Sequence, residues 1–252
     1  MANSKSSGYR VVDYAKLTTN DPNPVKRKLQ NIRLSHSIRE INRNESADFR
    51  GNVLDFGAGN GELCKRLASF YPKTNIYCYE PSQGYRKQAE HNLAGIDTIR
   101  IIADVEQIKD IEFSYILCLE VFEHLPEIKI IQSLELFERL LKVDGKLIIG
   151  VPVEIYFPAL FKGVFRMYRR YGDFDATLKN VLLATIGVPP KDREIQMLDD
   201  NLPYIFRHMG YDYRRLKKII ANKFKLITNY GSPFPGLPIS MNFENYYVCQ
   251  KI

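Results

Sequence analysis

The chain has 252 residues, of which 45% are hydrophobic and 26% charged, so its composition is that of a globular protein rather than a disordered one. No apolar run approaches the roughly 20 residues that span a bilayer, and the first residues contain no apolar segment typical of a secretory signal. The net charge is +7, and residues 154–225 carry most of it, with 14 Lys or Arg against 8 Asp or Glu. This basic excess is consistent with a solvated surface or with binding of phosphate groups, nucleic acid or anionic lipid.

Residues 1–48 are predicted to form a helical extension in front of the main domain. Residues 1–23 are rich in turn-forming residues, whereas residues 24–45 have the periodicity of one basic amphipathic helix. We expect this helix to cover the site that the following strands form.

Residues 49–252 are predicted to form one α/β domain. Strand-like apolar runs alternate with helical patterns up to Pro152, which indicates βαβ units in a parallel, doubly wound sheet. Residues 153–210 break this alternation, and we expect them to form a cap inserted between the fifth and sixth strands. The seven predicted strands are NVLDF, TNIYCYE, TIRIIAD, FSYILCLE, KLIIGVP, FKLITNYG and FENYYVCQK.

Residues 155–171 of the cap combine aromatic and basic side chains. Apolar residues fall near one face of a predicted helix, and most Lys and Arg residues lie elsewhere. The favoured interpretation is a lid whose apolar face covers an acceptor pocket. The alternative is an interfacial helix in peripheral contact with the inner face of a membrane. The apolar residues are Phe157, Leu160, Phe161, Val164, Phe165 and Tyr168.

Three glycines, Gly57, Gly59 and Gly61, follow the first strand at alternate positions. Glycines at this point allow a tight turn and let a ligand touch the backbone next to the amides of a helix N-terminus. The spacing is G-x-G-x-G rather than the dinucleotide G-x-G-x-x-G. Asp55, just before the turn, would repel a diphosphate but suits a ligand that carries an ammonium group.

Two further acids end predicted strands at the same edge of the sheet. Glu80 follows the second strand, 25 residues after Asp55, where a carboxylate can accept hydrogen bonds from both hydroxyls of a ribose. Asp104 ends the third strand and is suited to accept a hydrogen bond from an adenine amino group. The sequence therefore predicts a nucleoside site.

The segments VLDFGAGNGEL, YEPS, ADVEQI and LCLEVFEHLPE, in this order and spacing, resemble the motifs of class I S-adenosylmethionine-dependent methyltransferases. The resemblance covers about residues 50–152 and 212–251. It implies S-adenosyl-L-methionine as cofactor and a Rossmann-like, doubly wound, seven-stranded sheet, mostly parallel with an antiparallel last strand. The N-terminal helical cover and the inserted cap are additions to that sheet.

The same resemblance implies roles for individual residues. The glycine turn would hold the methionine part of the cofactor, Glu80 the ribose and Asp104 the adenine edge, while Glu120 would lie beside the transferable methyl. Arg33 or Tyr14 is a candidate partner for the methionine carboxylate. The predicted cofactor-binding residues are Asp55, Gly57, Ala58, Gly59, Gly61, Glu80, Pro81, Asp104, Val105 and Glu120.

His208 and His124 are the predicted catalytic residues. His124 follows the fourth strand near the expected methyl, and His208 precedes the helix before the sixth strand, so both can face one cleft; His91 is interpreted as structural. A general base assists methyl transfer to a hydroxyl group. The stretch RHMGYDYRRL also resembles G-H-x-G-F-D-Y of methyltransferases in bacterial sugar and polysaccharide pathways, with Arg207 in place of the first Gly. We therefore expect O-methylation of a small-molecule, sugar or lipid-linked glycan acceptor.

Carbon and nitrogen acceptors stay open, although the absence of N/D-P-P-Y after the fourth strand disfavours methylation of DNA bases or glutamine. An NAD(P)-dependent oxidoreductase is disfavoured by the glycine spacing and by the lack of a Tyr-x-x-x-Lys pair near the fifth strand. A non-catalytic cofactor-binding or nucleic-acid-binding module is disfavoured because the acidic cofactor positions are intact. The four cysteines, which lack paired spacing, are Cys64, Cys78, Cys118 and Cys249. We expect them to be reduced thiols in a cytoplasmic protein, and we expect no metal site.

Overall fold

The computed structural model of the protein describes residues 23–169, 171, 177–190, 193–198 and 202–252. Seven strands form one sheet, and two short strands of the cap form a separate antiparallel hairpin. In chain order the strands are β1 (Asn52–Phe56), β2 (Asn75–Tyr79), β3 (Ile99–Ile102), β4 (Phe113–Leu119), β5 (Leu141–Pro152), β6 (Gln196–Leu198), β7 (Leu202–Tyr204), β8 (Phe224–Ser232) and β9 (Glu244–Lys251).

The large sheet has the strand order β3-β2-β1-β4-β5-β9-β8. Strands β1 to β5 pair in parallel, and β9 runs antiparallel to both of its neighbours. The strand order reverses between β1 and β4, which is where α/β sheets bind ligands. The predicted seven-stranded, mostly parallel sheet with an antiparallel last strand is confirmed.

Helices cover both faces of the sheet. On one face, Leu54 and Phe56 of β1 pack with Phe137 and Leu216 of the helices that follow β4 and the cap. On the other face, Val53 packs with the helices that precede or follow β1 and β2. The helices are α1 (Pro24–Ser37), α2 (Arg39–Asn44), α3 (Glu62–Phe70), α4 (Gln83–Asn92), α5 (Glu127–Leu140), α6 (Phe157–Arg169), α7 (Leu178–Thr185) and α8 (Tyr213–Ala221).

The single helix predicted over residues 24–45 is instead two helices that meet at Ile38. The buried Ser37 hydroxyl donates a 2.9 Å hydrogen bond to the Leu34 carbonyl, a local bond that competes with continued helix. The break allows both Ile38 and Ile41 to reach the core cluster that also contains Val53. The division of the chain at residue 48 stays a prediction.

The cap contains α6, α7 and the β6–β7 hairpin. Helices α6 and α7 pack closely at Gly163, where a Cβ would lie only 2.6 Å from the Val181 side chain. The fully buried Glu154 fixes α6 to the sheet: Lys162 Nζ is 2.9 Å from its Oε1, and Arg166 Nη1 is 2.8 Å from its Oε2. These two cations oppose the effect of burial and hold the pKa of Glu154 well below its ordinary value.

The lid interpretation of residues 155–171 is wrong for the described residues. The apolar side chains of α6 point outward, with Phe161 61% exposed and Phe165 55% exposed, and none of residues 157–168 lines the cavity described below. The buried side of α6 faces α7 and the Glu154 carboxylate instead. Within the described part of the chain, no helix combines the length and the apolarity needed to cross a membrane.

Candidate active site

A cavity of about 500 Å³ opens at the carboxyl ends of the central strands. The loops after β1, β2 and β4 form one side of it, helix α1 covers it, and the β6–β7 hairpin of the cap closes the opposite side. Ten of the candidate residues predicted from the sequence line it: Arg33, Asp55, Gly57, Ala58, Gly59, Glu80, Pro81, Glu120, His124 and His208.

The glycine turn has a left-handed backbone at all three glycines. The φ angles of Gly57, Gly59 and Gly61 are +79°, +57° and +77°, a region in which side-chain-bearing residues are strained. A Cβ on Gly57 would lie 2.5 Å from the Val121 side chain, whereas a Cβ on Gly59 would meet nothing within 4 Å. Gly59 therefore presents bare backbone to the cavity, while Gly61 lies outside the lining and begins α3 against Leu93.

Glu80 is 6% exposed and is anchored to this turn. Its Oε2 accepts a 2.8 Å hydrogen bond from the Gly59 amide, and its Oε1 accepts a 2.9 Å bond from the Ser82 amide. Burial raises the pKa of Glu80 to about 7, against the lowering effect of these two bonds. Each carboxylate oxygen has two lone pairs, so the fixed carboxylate can still accept hydrogen bonds from a ligand.

Asp55 lies beneath the turn and is also buried. Its Oδ2 accepts a hydrogen bond from the Cys64 thiol at 3.3 Å, and burial raises its pKa to about 7. Two carboxyl groups thus lie on the side of the cavity formed by the loops after β1 and β2, where a positively charged ligand would favour their ionised forms.

Asp104 and Val105 lie outside the cavity lining. Asp104 Oδ1 accepts a 3.0 Å bond from the Glu106 amide and caps the short 3₁₀ turn Val105–Ile108, while Val105 packs against the core. The Asp104 carboxylate is close enough to Tyr79, which lines the cavity, to contribute to the raised pKa of that phenol. Contact of Asp104 and Val105 with adenine stays a prediction.

Glu120 stands at the end of β4 with a φ of +55°, which is uncommon for a residue with a side chain. Arg33 of α1 lies 3.0 Å from Glu120 Oε2 and 3.4 Å from Glu244 Oε1. Burial alone would raise the pKa of Glu120, but the Arg33 guanidinium and a hydrogen bond with Glu244 hold it at about 2. Arg33 thus lines the cavity, and its contact with a methionine carboxylate stays a prediction, whereas Tyr14 lies outside the described residues.

The two predicted catalytic histidines lie together at the opposite side of the cavity, beside the β6–β7 hairpin. Their ring centroids are 4.8 Å apart, and the His124 ring stacks on Tyr204 of the hairpin at 4.3 Å. His124 Nδ1 is 2.8 Å from the Ile205 carbonyl, which fixes the proton on Nδ1 and leaves a lone pair on Nε2. Burial lowers the pKa of both rings, that of His208 to about 3, so both imidazoles are neutral near pH 7.

Glu123 is the main residue that sequence reasoning missed. It is fully buried beside His124, and neither of its carboxyl oxygens has a hydrogen-bond partner among the described residues. Burial, with the Glu120 carboxylate nearby, raises the pKa of Glu123 well above its ordinary value. The signal was present in the stretch EVFEH, where two acids three residues apart precede a histidine after a strand.

Residues 53–145 match the family model of a methyltransferase domain. A 57-residue segment is 39% identical to the malonyl-[acyl-carrier protein] O-methyltransferase of Geobacter sulfurreducens; it makes up 22% of this chain and 21% of that protein. The chain thus matches about a fifth of the length of this curated relative.

The fold is similar to that of solved structures at low sequence identity. The PH0226 protein from Pyrococcus horikoshii OT3 has a TM-score of 0.57 and 12% identity over 97% of this chain and 98% of its own. The N-methyltransferase NodS from Bradyrhizobium japonicum WM9, solved with S-adenosyl-L-homocysteine, has a TM-score of 0.56 and 13% identity over 92% of this chain and 89% of its own. The expected Rossmann-like fold is thus confirmed, and residues 53–145 of it match a methyltransferase domain.

Proposed function

We propose that the chain, whose residues 53–145 match a methyltransferase domain, is a class I S-adenosylmethionine-dependent methyltransferase. It methylates, in this proposal, a hydroxyl oxygen of a small-molecule, sugar or lipid-linked glycan acceptor. The observation that carries this proposal is the arrangement of the cavity. The glycine turn and Glu80 lie on one side, and two neutral imidazoles face the same space on the other.

The cofactor side fits S-adenosylmethionine. Gly59 presents backbone with no atom within 4 Å of a Cβ, and Glu80 is held with lone pairs to spare for ribose hydroxyls. Asp55 and Glu120 supply negative charge for a ligand that carries an ammonium and a sulfonium group. When bound, this cofactor supplies an activated methyl group, which leaves with the carbon–sulfur electron pair retained by sulfur.

The acceptor side fits a hydroxyl group. His124 Nε2 has a lone pair because Nδ1 is committed to the Ile205 carbonyl, and His208 lies against the same ring. The stacked Tyr204 offers a flat apolar surface of the kind that packs on a sugar ring. These residues place an acceptor next to the methyl donor, and such positioning supplies much of the rate increase in a direct transfer. The name of the curated relative, an O-methyltransferase, is consistent with an oxygen acceptor.

The test is tritiated-methyl transfer from S-adenosylmethionine to fractionated metabolite and glycan pools by the full chain. His124→Ala and His208→Ala should each lower turnover by roughly 10²–10⁴-fold. Both variants should bind S-adenosylhomocysteine within about threefold of the unmodified chain, and the exposed His91→Ala serves as the matched control. Label on nitrogen rather than oxygen would contradict the acceptor assignment, and calorimetric binding of NADH but not S-adenosylhomocysteine would favour an oxidoreductase instead.

A peripheral membrane contact through residues 155–171 is part of this proposal, because it would bring a lipid-linked acceptor to the enzyme. Helix α6 exposes Phe157, Phe161 and Phe165 by 51–61%, and α7 beside it exposes Leu182. Exposed apolar faces of this kind mark interaction surfaces, and the basic excess of residues 154–225 suits anionic lipid.

Flotation of the chain with anionic vesicles at low salt tests the contact. The double variant Phe161→Ser/Phe165→Ser should lose flotation and keep binding of S-adenosylhomocysteine, because neither residue lines the cavity. An unmodified chain that does not float at low salt would remove the membrane contact and leave the methyltransferase proposal intact.

A further inference from the structure

We propose that Glu123, His124 and His208 bind one divalent transition-metal ion, which holds the hydroxyl oxygen of the acceptor. Metal binding rests on the geometry of these three side chains alone. The role toward the acceptor rests also on the proposed function.

The three side chains bring metal-binding atoms together. One carboxylate oxygen of Glu123 and one ring nitrogen of each histidine lie within 4.8 Å of one another, and Glu123 Oε1 is 3.7 Å from His124 Nε2. In a tetrahedral zinc site with bonds of about 2.0–2.1 Å, the ligand atoms lie roughly 3.4 Å apart. Side-chain shifts of about 1 Å would therefore complete such a site.

The state of Glu123 points independently to a missing partner. Its carboxyl group is 0% exposed, and both oxygens lack a hydrogen-bond partner among the described residues. The 3.7 Å separation from His124 Nε2 is too long for a hydrogen bond, so neither an ionised nor a protonated Glu123 is satisfied by its neighbours. A bound cation would supply the partner that a buried carboxylate requires.

The surroundings resemble those of metal ligands in other proteins. The Ile205 carbonyl accepts the Nδ1 proton of His124, as second partners of metal-binding histidines commonly do, and this bond orients Nε2. His124 and His208 line the cavity, so a coordination position can stay open toward it. Two imidazoles and one carboxylate with an open position form a donor set for Zn²⁺, Fe²⁺, Co²⁺ or Ni²⁺ rather than Ca²⁺.

The ion would prepare the acceptor for methyl transfer. A hydroxyl group bound to a divalent ion is acidified and releases its proton to water. The oxygen then forms the bond to the methyl carbon as the carbon–sulfur bond breaks, and the electron pair of that bond stays on sulfur. The imidazoles act here as ligands and not as the base.

The experiment is titration of the untagged, chelator-treated full chain with Co²⁺, followed by visible absorption. We expect one equivalent to bind and the absorption to have the intensity of a four- or five-coordinate site. Glu123→Gln, His124→Ala and His208→Ala should each weaken Co²⁺ binding by more than about tenfold, whereas the exposed His91→Ala should leave it unchanged. Unaltered binding of S-adenosylhomocysteine by the same variants establishes that they are folded.

Absence of Co²⁺ and Zn²⁺ binding by the unmodified chain would overturn the metal site. So would binding of Co²⁺ by His124→Ala and His208→Ala with the affinity of the unmodified chain. Methyl transfer that continues in excess chelator would overturn the role of the ion while leaving the proposed function in place. Failure of the proposed function is separate, since it appears as loss of S-adenosylhomocysteine binding or of methyl transfer with the metal present.

Discussion

The two sides of the cavity differ in how they are built. Most of the cofactor side comes from short loops that directly follow β1 and β2, and the polar groups of these loops are mutually paired: Gly59 to Glu80, Ser82 to Glu80, and Cys64 to Asp55. Glu120, at the end of β4, completes this side and has one carboxyl oxygen, Oε1, without a hydrogen-bond partner among the described residues. The acceptor side combines the loop after β4 with a hairpin and a loop about 80 residues later, and no described residue forms a hydrogen bond with the Glu123 carboxyl oxygens.

The difference indicates that the two sides meet different requirements. The loops after β1 and β2 are internally hydrogen-bonded and present a fixed carboxylate and bare backbone to a matching ligand. The acceptor side holds a buried carboxyl group that the described part of the chain does not satisfy, which is typical of functional sites rather than of structural ones. Changes on the cofactor side should therefore alter cofactor binding first, and changes on the acceptor side should alter turnover first.

Among changes to the cofactor side, Glu80→Ala has the largest expected effect. Loss of this carboxylate removes hydrogen bonds to both the ribose and the Gly59 amide, and charge-assisted bonds contribute roughly 1.5–3 kcal/mol each. The affinity for S-adenosylhomocysteine, measured by calorimetry, should fall by at least about 100-fold. Replacement of the exposed Glu90 on α4 by Ala is the control and should leave this affinity unchanged. An unchanged affinity for S-adenosylhomocysteine in Glu80→Ala would contradict the assignment of the cofactor side.

Gly57→Ala should destabilise the fold more than Gly95→Ala does. Both glycines have a φ of +79°, so both substitutions carry a backbone strain of about 1–2 kcal/mol. Only at Gly57 would the new Cβ collide with Val121, which should cost about 1–3 kcal/mol more. Urea unfolding midpoints of the two variants measure this difference, and equal midpoints would show that the turn is not closely packed.

The affinity for S-adenosylhomocysteine should rise about tenfold between pH 6 and pH 8. The pKa of Glu80 is raised to about 7, so its carboxylate is mostly protonated at pH 6 and mostly ionised at pH 8, and only the ionised form keeps all its acceptor sites. The raised pKa also makes the folding stability depend on pH, because burial disfavours the ionised carboxylate. The contribution of protonated Glu80 to the free energy of unfolding is fully present below pH 4.5 and is lost as the pH rises through about 7. An affinity constant within twofold across this range would contradict the state assigned to Glu80.

The smallest expected effect is that of Tyr204→Leu on the acceptor side. Loss of the ring stacked on His124 should lower kcat/KM by roughly 2- to 12-fold, because such aromatic pairs contribute about 0.5–1.5 kcal/mol. Cofactor affinity should not change, and Tyr204→Phe should restore most of the activity. A Tyr204→Leu variant with weakened cofactor binding but normal turnover would contradict the separation of the two sides.

The sheet was predictable because each of its strands carries a local apolar pattern between turn residues. The cofactor side was predictable for a related reason: Asp55, Gly59 and Glu80 directly end or follow strands, so sequence position fixes their place at the edge of the sheet. The break at Ile38 was not predictable from periodicity, since it depends on how two helices share one core cluster.

The acceptor side was only partly predictable. His124 and His208 were identified, but their contact depends on the path of the cap and has no local pattern. The outward face of α6 was missed for the same reason: the sequence shows an apolar face but not the direction in which it points. That direction is set by the pairing of Lys162 and Arg166 with the buried Glu154.

A crystal structure of the chain with S-adenosylhomocysteine tests most directly whether the glycine turn and Glu80 bind the cofactor. We predict both ribose hydroxyls within hydrogen-bond distance of the Glu80 carboxylate, the homocysteine backbone against Gly57–Gly59, and the sulfur directed toward Glu120 and His124. A nucleoside bound outside this cavity, or bound within it with the ribose away from Glu80, would contradict the account.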